Sequence, residues 1–279
     1  MNFLRASTLA VIAQTLSVSV VILSPAVAMA QNDSQTPPLP HSGGTLRMVA
    51  QSSGGTLDPQ ISYMALTRQF ETPVYDTLLA YPKFAGAQAV PVIASLAENV
   101  PQPEDGGLTY RITLRKGIRF SNGHELNTED VAASFRRIFK AGSPTAGPYY
   151  SHLKGAKECL ADPAHCTLKE GITTDPASRT VTFHLDTPDP EFLPRLAWSH
   201  SAILPADTPA SDTGNTAPPG TGPYRITGYD PTRFLRMERN PYFHEWAHDA
   251  QPAGYPDIIE ATFGLDQESE LTAVENGQF

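Results

Sequence analysis

The chain has 279 residues, with 20 Lys and Arg, 29 Asp and Glu, and a formal net charge of −9 at pH 7. This acidic balance argues against nucleic-acid binding, because the phosphates of DNA and RNA are bound by clustered Lys and Arg side chains. The length suffices for a large hydrophobic core arranged in one or two domains.

Residues 1–30 have the features of a secretory signal peptide. Arg5 supplies a positive charge, residues 9–23 are mainly apolar, and Ala28-Met29-Ala30 fits a cleavage site of small residues. The alternative is a membrane anchor, but the apolar run is short and contains polar residues. We therefore expect cleavage after Ala30 and a periplasmic product. No cysteine follows the cleavage site to carry a lipid, and residues 31–42 are expected to form a flexible leader.

The first predicted elements of the mature chain are a strand and a helix. The strand is expected over residues 45–50, and a Gly/Ser-rich loop then ends at Leu57-Asp58-Pro59. Apolar residues at helical spacing predict a helix over residues 67–79. Pro73 must lie in the first turn of that helix or kink it.

In residues 106–139, the spacing of the apolar residues changes from that of a strand to that of a helix. Apolar residues alternate from Leu108 to Leu114, as in a strand with one buried face, and a turn follows at residues 121–124. Asn127 or Thr128 can cap the next helix. Its apolar face is expected to contain Val131, Ala132, Phe135, Ile138 and Phe139, with Arg136, Arg137 and Lys140 on the opposite face.

Residues 143–166 are predicted to be mainly loop. They contain Cys159 and Cys166, whose spacing matches neither a CxxC motif nor a common zinc arrangement. A disulfide is expected in an oxidising compartment. Tyr149 and Tyr150 could line a ligand site, but the absence of convergent polar residues in the sequence favours a role in covering the loop.

The second half of the chain is predicted to be rich in strands. Residues 172–185 predict two strands joined by a turn, and residues 192–197 a short helix. Residues 208–219 have the composition of a linker. They precede a hairpin that turns at Asp230-Pro231, a strand over residues 257–263, and a helix over residues 267–276 with Leu271 and Val274 facing inward.

Residues 244–248, His-Glu-Trp-Ala-His, satisfy the HExxH pattern. On a helix, His244 and His248 would lie one turn apart and could share a zinc ion, with Glu245 activating a water molecule. Pro241 and Pro252 flank the segment closely, and it has no apolar stripe to dock a helix. We therefore expect no catalytic residue and no metal, and keep a secreted zinc hydrolase as the alternative function.

Several strings resemble the large solute-binding proteins of peptide/nickel-type ABC importers, bacterial extracellular solute-binding protein family 5. The longest is GGLTYRITLRKGIRFSNGHELNTEDVAASF at residues 106–135, which has Gly106-Gly107 and Asn122-Gly123 where the family usually has Asp-Gly. The others are GGTLRMVAQSSGGTLDPQ at 43–60, VYDTLLAY at 74–81 and GTGPYRITGYDPTRFLRMERNPYF at 220–243.

The resemblance implies a mixed α/β fold, with a periplasmic-binding-protein type II-like lobe and an inserted accessory domain. Residues 43–82 and 203–279 would form the first lobe, and residues 83–202 the accessory domain. Family members are about twice as long, so the resemblance implies that the second lobe is missing. The chain would then be a fragment, a truncated gene product or one half of a split protein.

The function implied by the resemblance is solute capture without catalysis or cofactor. A monomer would hold a peptide-like solute, or a nickel complex, haem or sugar, between two lobes and deliver it to the membrane permease of an ABC importer. Tyr63, Met64 and Ala65 match the cleft wall of the first lobe best, although they could be an ordinary connection into a helix. The residues that usually fix peptide termini belong to the missing lobe, so weak or no binding is expected of this chain alone.

Overall fold

A computed structural model describes residues 42–83 and 91–279. The predicted signal peptide, its cleavage after Ala30, and all of the predicted leader except Ser42 lie outside the described residues. In the described part of the chain, no helix combines the length and the apolar content needed to cross a membrane.

The described residues form nine strands, six α-helices and two 3-10 helices. The strands are β1 (Thr45–Ala50), β2 (Leu79–Ala80), β3 (Ile93–Ala94), β4 (Thr109–Thr113), β5 (Ile172–Asp175), β6 (Thr180–His184), β7 (Tyr224–Asp230), β8 (Phe234–Arg239) and β9 (Ile258–Phe263). The α-helices are α1 (Ala65–Glu71), α2 (Thr128–Lys140), α3 (Ala146–Tyr150), α4 (Ala156–Ala161), α5 (Phe192–Arg195) and α6 (Gln267–Glu275). The 3-10 helices are Pro163–His165 and Ser199–Ser201.

A four-stranded sheet, in the order β1-β9-β8-β7, supports the first hydrophobic core. β1 runs parallel to β9, with Thr45 opposite Ile258, and the remaining pairs are antiparallel. Alternate residues of the strands point to one face, where Leu235, Met237 and Ala261 are buried against α1 and its loops. The predicted hairpin and the predicted strands at residues 45–50 and 257–263 are confirmed.

The other face of this sheet carries a row of alternating charges. Arg47 faces Glu260 at 4.0 Å, and Arg236 contacts both Glu260 and Glu238. Arg225 extends the row to Glu238, also at 4.0 Å. Because these side chains are partly exposed and screened by water, each pair contributes at most about 1 kcal/mol. The row identifies this face as the solvent side of the sheet.

A second hydrophobic core lies between α2 and the antiparallel sheet β4-β6-β5. The predicted alternation is confirmed, since Tyr110, Ile112 and Leu114 are buried. The ring of Tyr150, also buried, packs edge-on against Phe135 with their centroids 5.4 Å apart. Within this core, Cys159 and Cys166 form a disulfide with Cα atoms 4.5 Å apart.

Helix α2 begins with reciprocal capping. The side chain of Asn127 accepts a hydrogen bond from the amide of Glu129 at 2.8 Å and from that of Asp130 at 3.2 Å. In return, the Asp130 carboxylate accepts one from the Asn127 amide at 2.9 Å. Such a capping box satisfies amides that have no partner within the helix.

The two cores draw on different stretches of sequence. The first contains residues between 57 and 75 and between 202 and 263, whereas the second contains residues between 78 and 203. The division into a first lobe, residues 43–82 and 203–279, and an accessory domain, residues 83–202, stays a prediction.

Three local predictions were wrong. The helix predicted over residues 67–79 ends at Glu71, because Pro73 has no amide hydrogen for a helical hydrogen bond and Leu79 pairs in β2. Residues 143–166 contain α3, α4 and a 3-10 helix. In α6, Leu271 is 61% exposed and Val274 50% exposed, and it is Ala273 that faces inward.

Candidate functional site

The loop before α1 is held by a buried ion pair with α2. Arg137 donates to Asp58 Oδ1 at 3.1 Å and to Gln60 Oε1 at 2.8 Å. It also donates to the carbonyl oxygens of Pro209 at 2.6 Å and Ser211 at 2.7 Å. The placement of Arg137 on a polar face of α2 was therefore wrong: the side chain is buried because its partners come from distant loops.

Gln60 provides a second attachment for the same loop. Its side-chain amide donates to the carbonyl oxygens of Ser134 at 3.1 Å and Ala202 at 3.0 Å. The main-chain carbonyl oxygen of Gln60 accepts a hydrogen bond from the Ser143 hydroxyl at 2.5 Å. These bonds fix the backbone directly before Tyr63.

The sequence-predicted ligand residues Tyr63, Met64 and Ala65 lie on the surface at the start of α1. Tyr63 is 60% exposed and Met64 54% exposed, and Ala65 is also exposed. The centroid of the Tyr63 ring is 5.2 Å from that of His200. The location leaves their side chains accessible to a solute, and their role in binding stays a prediction.

A group of aromatic and cationic side chains lies next to Tyr63. The guanidinium of Arg68 is 5.2 Å from the centroid of the Trp198 ring, and the Tyr149 ring is 5.9 Å from the same tryptophan. Burial, and to a smaller extent the neighbouring Tyr63, raise the pKa of Tyr149. We call Tyr63, Arg68, Tyr149 and Trp198 the aromatic surface.

Two members of this surface, Arg68 and Trp198, were not predicted from the sequence. They are 130 positions apart in the chain, and no motif connects them. For Tyr149, the sequence favours a role in covering the loop over one in ligand binding. Its contact with Trp198 now places it on the aromatic surface, beside Tyr63.

A cavity of about 360 Å³ opens next to the aromatic surface, between α1, the segment after β2, and the segment before Ser199. Its volume lies at the lower end of the range for small-molecule pockets, which begins at about 300 Å³, and is large enough for one side chain or terminal group of a peptide. Both acidic and basic side chains reach it. The lining residues with ionisable or aromatic side chains are Arg68, Glu71, Tyr75, Asp76, Tyr81, Lys83 and Trp198.

Burial shifts the pKa values of the acids and the base in this cavity. Glu71 is 2% exposed, and its desolvation, opposed by Ser62 and Arg68, raises its pKa to about 8. Desolvation also raises the pKa of Asp76 to about 6, against the effects of Lys83 and of the Thr221 hydroxyl, which donates to Asp76 at 2.7 Å. The pKa of Lys83 is lowered by burial.

His200 is buried beside the aromatic surface and is neutral at neutral pH. Desolvation and the charge of Arg68 lower its pKa to about 4. Neither of its ring nitrogens has a hydrogen-bond partner among the described residues. The imidazole therefore adds no charge next to Arg68.

The HExxH segment has a geometry different from that of a helical zinc motif. Residues 244–248 are not helical. His248 Nδ1 lies 2.8 Å from Glu245 Oε1, and the other carboxylate oxygen of Glu245 accepts the Ala253 amide at 2.8 Å. Among the described residues, no three His, Cys, Asp or Glu side chains converge on a common point. The zinc hydrolase remains an untested alternative that this geometry does not favour.

A family model, described as bacterial extracellular solute-binding proteins, family 5 Middle, matches residues 91–279. The chain belongs to this family. The predicted membership is thereby confirmed, and members of family 5 are solute-binding proteins.

Relatives in family 5 are longer than this chain. The peptide transport periplasmic protein SapA of Salmonella typhimurium is 28% identical over 189 residues, which cover 61% of this chain and 32% of the relative. The oligopeptide-binding protein AppA of Bacillus subtilis is 26% identical over 182 residues, which cover 62% of this chain and 30% of the relative. The chain thus spans about a third of the length of these two relatives.

Solved structures of solute-binding proteins have the same fold. A structure titled clavulanic acid biosynthesis oligopeptide binding protein 2 aligns with a TM-score of 0.72 and 29% identity over 87% of this chain and 44% of its own. The DppA protein of Helicobacter pylori, in complex with the peptide STSA, aligns with a TM-score of 0.64 and 21% identity, over 86% and 46% of the two chains. The predicted mixed α/β fold of periplasmic binding proteins is confirmed.

The buried Glu71 should make the stability of this family 5 chain depend on pH. Its pKa is raised from 4.5 to about 8 in the folded state, so its contribution is complete below pH 4.5 and is lost as the pH rises through 8. The side chain of Gln does not titrate. Above pH 8, we therefore expect the Glu71→Gln variant to have a higher free energy of unfolding than the wild type. The difference should be on the order of a few kcal/mol, because one pKa unit corresponds to about 1.4 kcal/mol.

The measurement is urea unfolding at several pH values between 5 and 9, as in any linkage study. Glu275→Gln, which changes an exposed carboxylate, serves as the control and should show the pH dependence of the wild type. Parallel pH profiles for Glu71→Gln and the wild type would contradict the assignment of a protonated, buried Glu71.

Proposed function

We propose that the chain acts as the periplasmic solute-binding component of an ABC importer, and that it captures a peptide-like solute for delivery to the membrane permease. Relatives named for peptide transport and oligopeptide binding support this function. The observation that carries the proposal is the partly exposed aromatic surface beside a cavity with ionisable walls. We expect a monomer that needs no cofactor and binds no nucleic acid.

The chemistry of the aromatic surface suits a peptide. Aromatic rings and Met64 can pack against apolar side chains of varied shape, and the Tyr63 hydroxyl can form hydrogen bonds with a peptide backbone. The rigid loop before Tyr63 reduces the conformational entropy lost on binding, because Arg137 and Gln60 already hold its backbone.

The chain is proposed to provide one wall of the site. A complete site with micromolar affinity has a binding free energy of about 8 kcal/mol, and half of it corresponds to a dissociation constant near millimolar. We therefore expect tri-alanine to bind the full chain with a millimolar dissociation constant. The shifts that it causes in NMR spectra should be concentrated on Tyr63 and the Trp198 indole.

Tyr63→Ala should weaken this binding at least about threefold, since an exposed aromatic contact contributes on the order of 1 kcal/mol. Tyr255→Ala is the matched control, because Tyr255 is similarly exposed (52%) but lies outside the aromatic surface. Micromolar binding of tri-alanine in calorimetry would contradict a one-walled site. Shifts that avoid Tyr63 and Trp198 would contradict the location.

A further inference from the structure

Arg68 is the uncompensated charge at the cavity. Its guanidinium lies over the Trp198 ring and lines the opening, where it is partly exposed. Within residues 42–83 and 91–279, no carboxylate lies within ion-pair distance of it. A guanidinium carries five donors in a planar fork that matches a carboxylate.

Glu71 places a second donor in the same cavity. Its carboxyl is buried, and Oε1 has no hydrogen-bond partner in the described part of the chain. At neutral pH the group is protonated, because burial raises its pKa to about 8. A neutral carboxyl donates one hydrogen bond, whereas an ionised one can only accept.

The remaining charges around the cavity compensate one another. Asp76 and Lys83 attract each other, and the Lys83 ammonium donates to the Thr72 carbonyl oxygen at 3.3 Å and to Gln251. Asp58, which faces Glu71, is neutralised by Arg137. His200 faces Arg68 and is uncharged at neutral pH. The cavity therefore has a net positive charge that comes from Arg68.

We propose that this cavity is a subsite for a carboxylate of the solute, which accepts hydrogen bonds from the Arg68 guanidinium and from the side chain of Glu71. The inference rests on the proposed function, because it assigns part of the same site. The carboxylate belongs either to the carboxyl terminus of a peptide or to an acidic side chain, and a cavity of about 360 Å³ accommodates either group.

The subsite should be sensitive to pH in one direction. Below pH 8, Glu71 donates to the carboxylate. Above that value, its ionised form brings a second negative charge against the ligand and leaves no donor. Carboxylate binding should therefore weaken as the pH rises from 7 to 9, and Glu71→Gln should remove this loss because its amide keeps a donor at every pH.

The test compares three probes by NMR titration of the full chain: tri-alanine, tri-alanine amide, and Ala-Glu-Ala amide, which has a carboxylate only in its side chain. At pH 7, we expect at least one of the two carboxylate-bearing probes to bind about tenfold more tightly than tri-alanine amide, as for other charge-assisted hydrogen bonds. The stronger of the two identifies the source of the carboxylate. Arg68→Gln should abolish the preference, whereas Arg233→Gln, at an exposed arginine in the β7–β8 turn, should preserve it.

The outcomes separate the subsite from the proposed function. Equal binding of all three probes would overturn the carboxylate subsite and leave peptide binding intact. Failure of every probe to bind would count against the proposed function. In that case, sodium propionate tests the cavity directly through the shift that it causes in the Arg68 Nε resonance. A carboxylate site is supported if this shift becomes smaller between pH 7 and pH 9 in the wild type but not in the Glu71→Gln variant. No shift with propionate overturns it.

Discussion

Replacing Arg137 with Leu should lower the free energy of unfolding by about 3–5 kcal/mol, because it leaves the Asp58 carboxylate buried without a counter-charge. Asp58 and Arg137 are both almost completely inaccessible to water. The substitution also removes the donors for the Pro209 and Ser211 carbonyl oxygens. Urea unfolding monitored by circular dichroism measures the loss.

Arg136→Leu provides the matched control on the same helix. Arg136 pairs with Glu129 at the surface, so its loss should change stability by at most about 1 kcal/mol. The double variant Asp58→Asn, Arg137→Leu should recover part of the stability, because it removes the uncompensated charge. A cost below about 1 kcal/mol for Arg137→Leu would show that the pair does not hold the loop.

Replacing Gly220 with Ala should cost about 3 kcal/mol, at the upper end of the range for overpacking. A Cβ atom at this position would lie 2.0 Å from the Val74 carbonyl oxygen and 2.8 Å from its carbon. Both are backbone atoms that cannot rotate away. The Gly220 carbonyl oxygen also accepts a hydrogen bond from the Ser121 amide at 2.8 Å, so three of the family-like strings meet at this point.

Gly147→Ala is the control for this substitution. Gly147 lies in α3, and an added Cβ would meet only Leu160 Cδ2, at an ordinary distance of 3.7 Å. Alanine at a helical position is favoured by up to about 1 kcal/mol over glycine, whereas Pro148 disfavours a Cβ at the residue before it, so this variant should stay within about 1 kcal/mol of the wild type. Thermal unfolding of both variants distinguishes close backbone approach from a general effect of adding a methyl group.

Periodicity predicted the elements that have one buried face. The alternation from Leu108 to Leu114, the apolar stripe of α2 and the hairpin around Asp230-Pro231 were all found as expected. Each depends on local hydrophobic pattern and turn chemistry, which sequence contains directly. The prediction for α6 was wrong because its sequence has only a weak apolar stripe, so that Ala273 rather than the larger Leu271 contacts the core.

Long-range polar contacts explain what the sequence did not reveal. Arginine is usually a surface residue, and the burial of Arg137 depends on its pairing with Asp58, 79 positions earlier in the chain. Residues 208–219 resemble a linker, yet the carbonyl oxygens of Pro209 and Ser211 and the amide of Thr213 all bond to this ion pair. The aromatic surface likewise combines α1 with Tyr149 and Trp198. Composition and period carry no information about such pairings.

The parallel pairing of β1 with β9 sets an order of events during synthesis. The Gly44 amide bonds to the Asp257 carboxylate across 213 positions, and β1 has no other strand neighbour in the described sheets. At about 5–20 residues per second, roughly 10–40 s separate the emergence of the two partners. The residues of the second core are all synthesised within that interval. Of the described strands, β1 is therefore the first to be synthesised and one of the last whose partner strand becomes available.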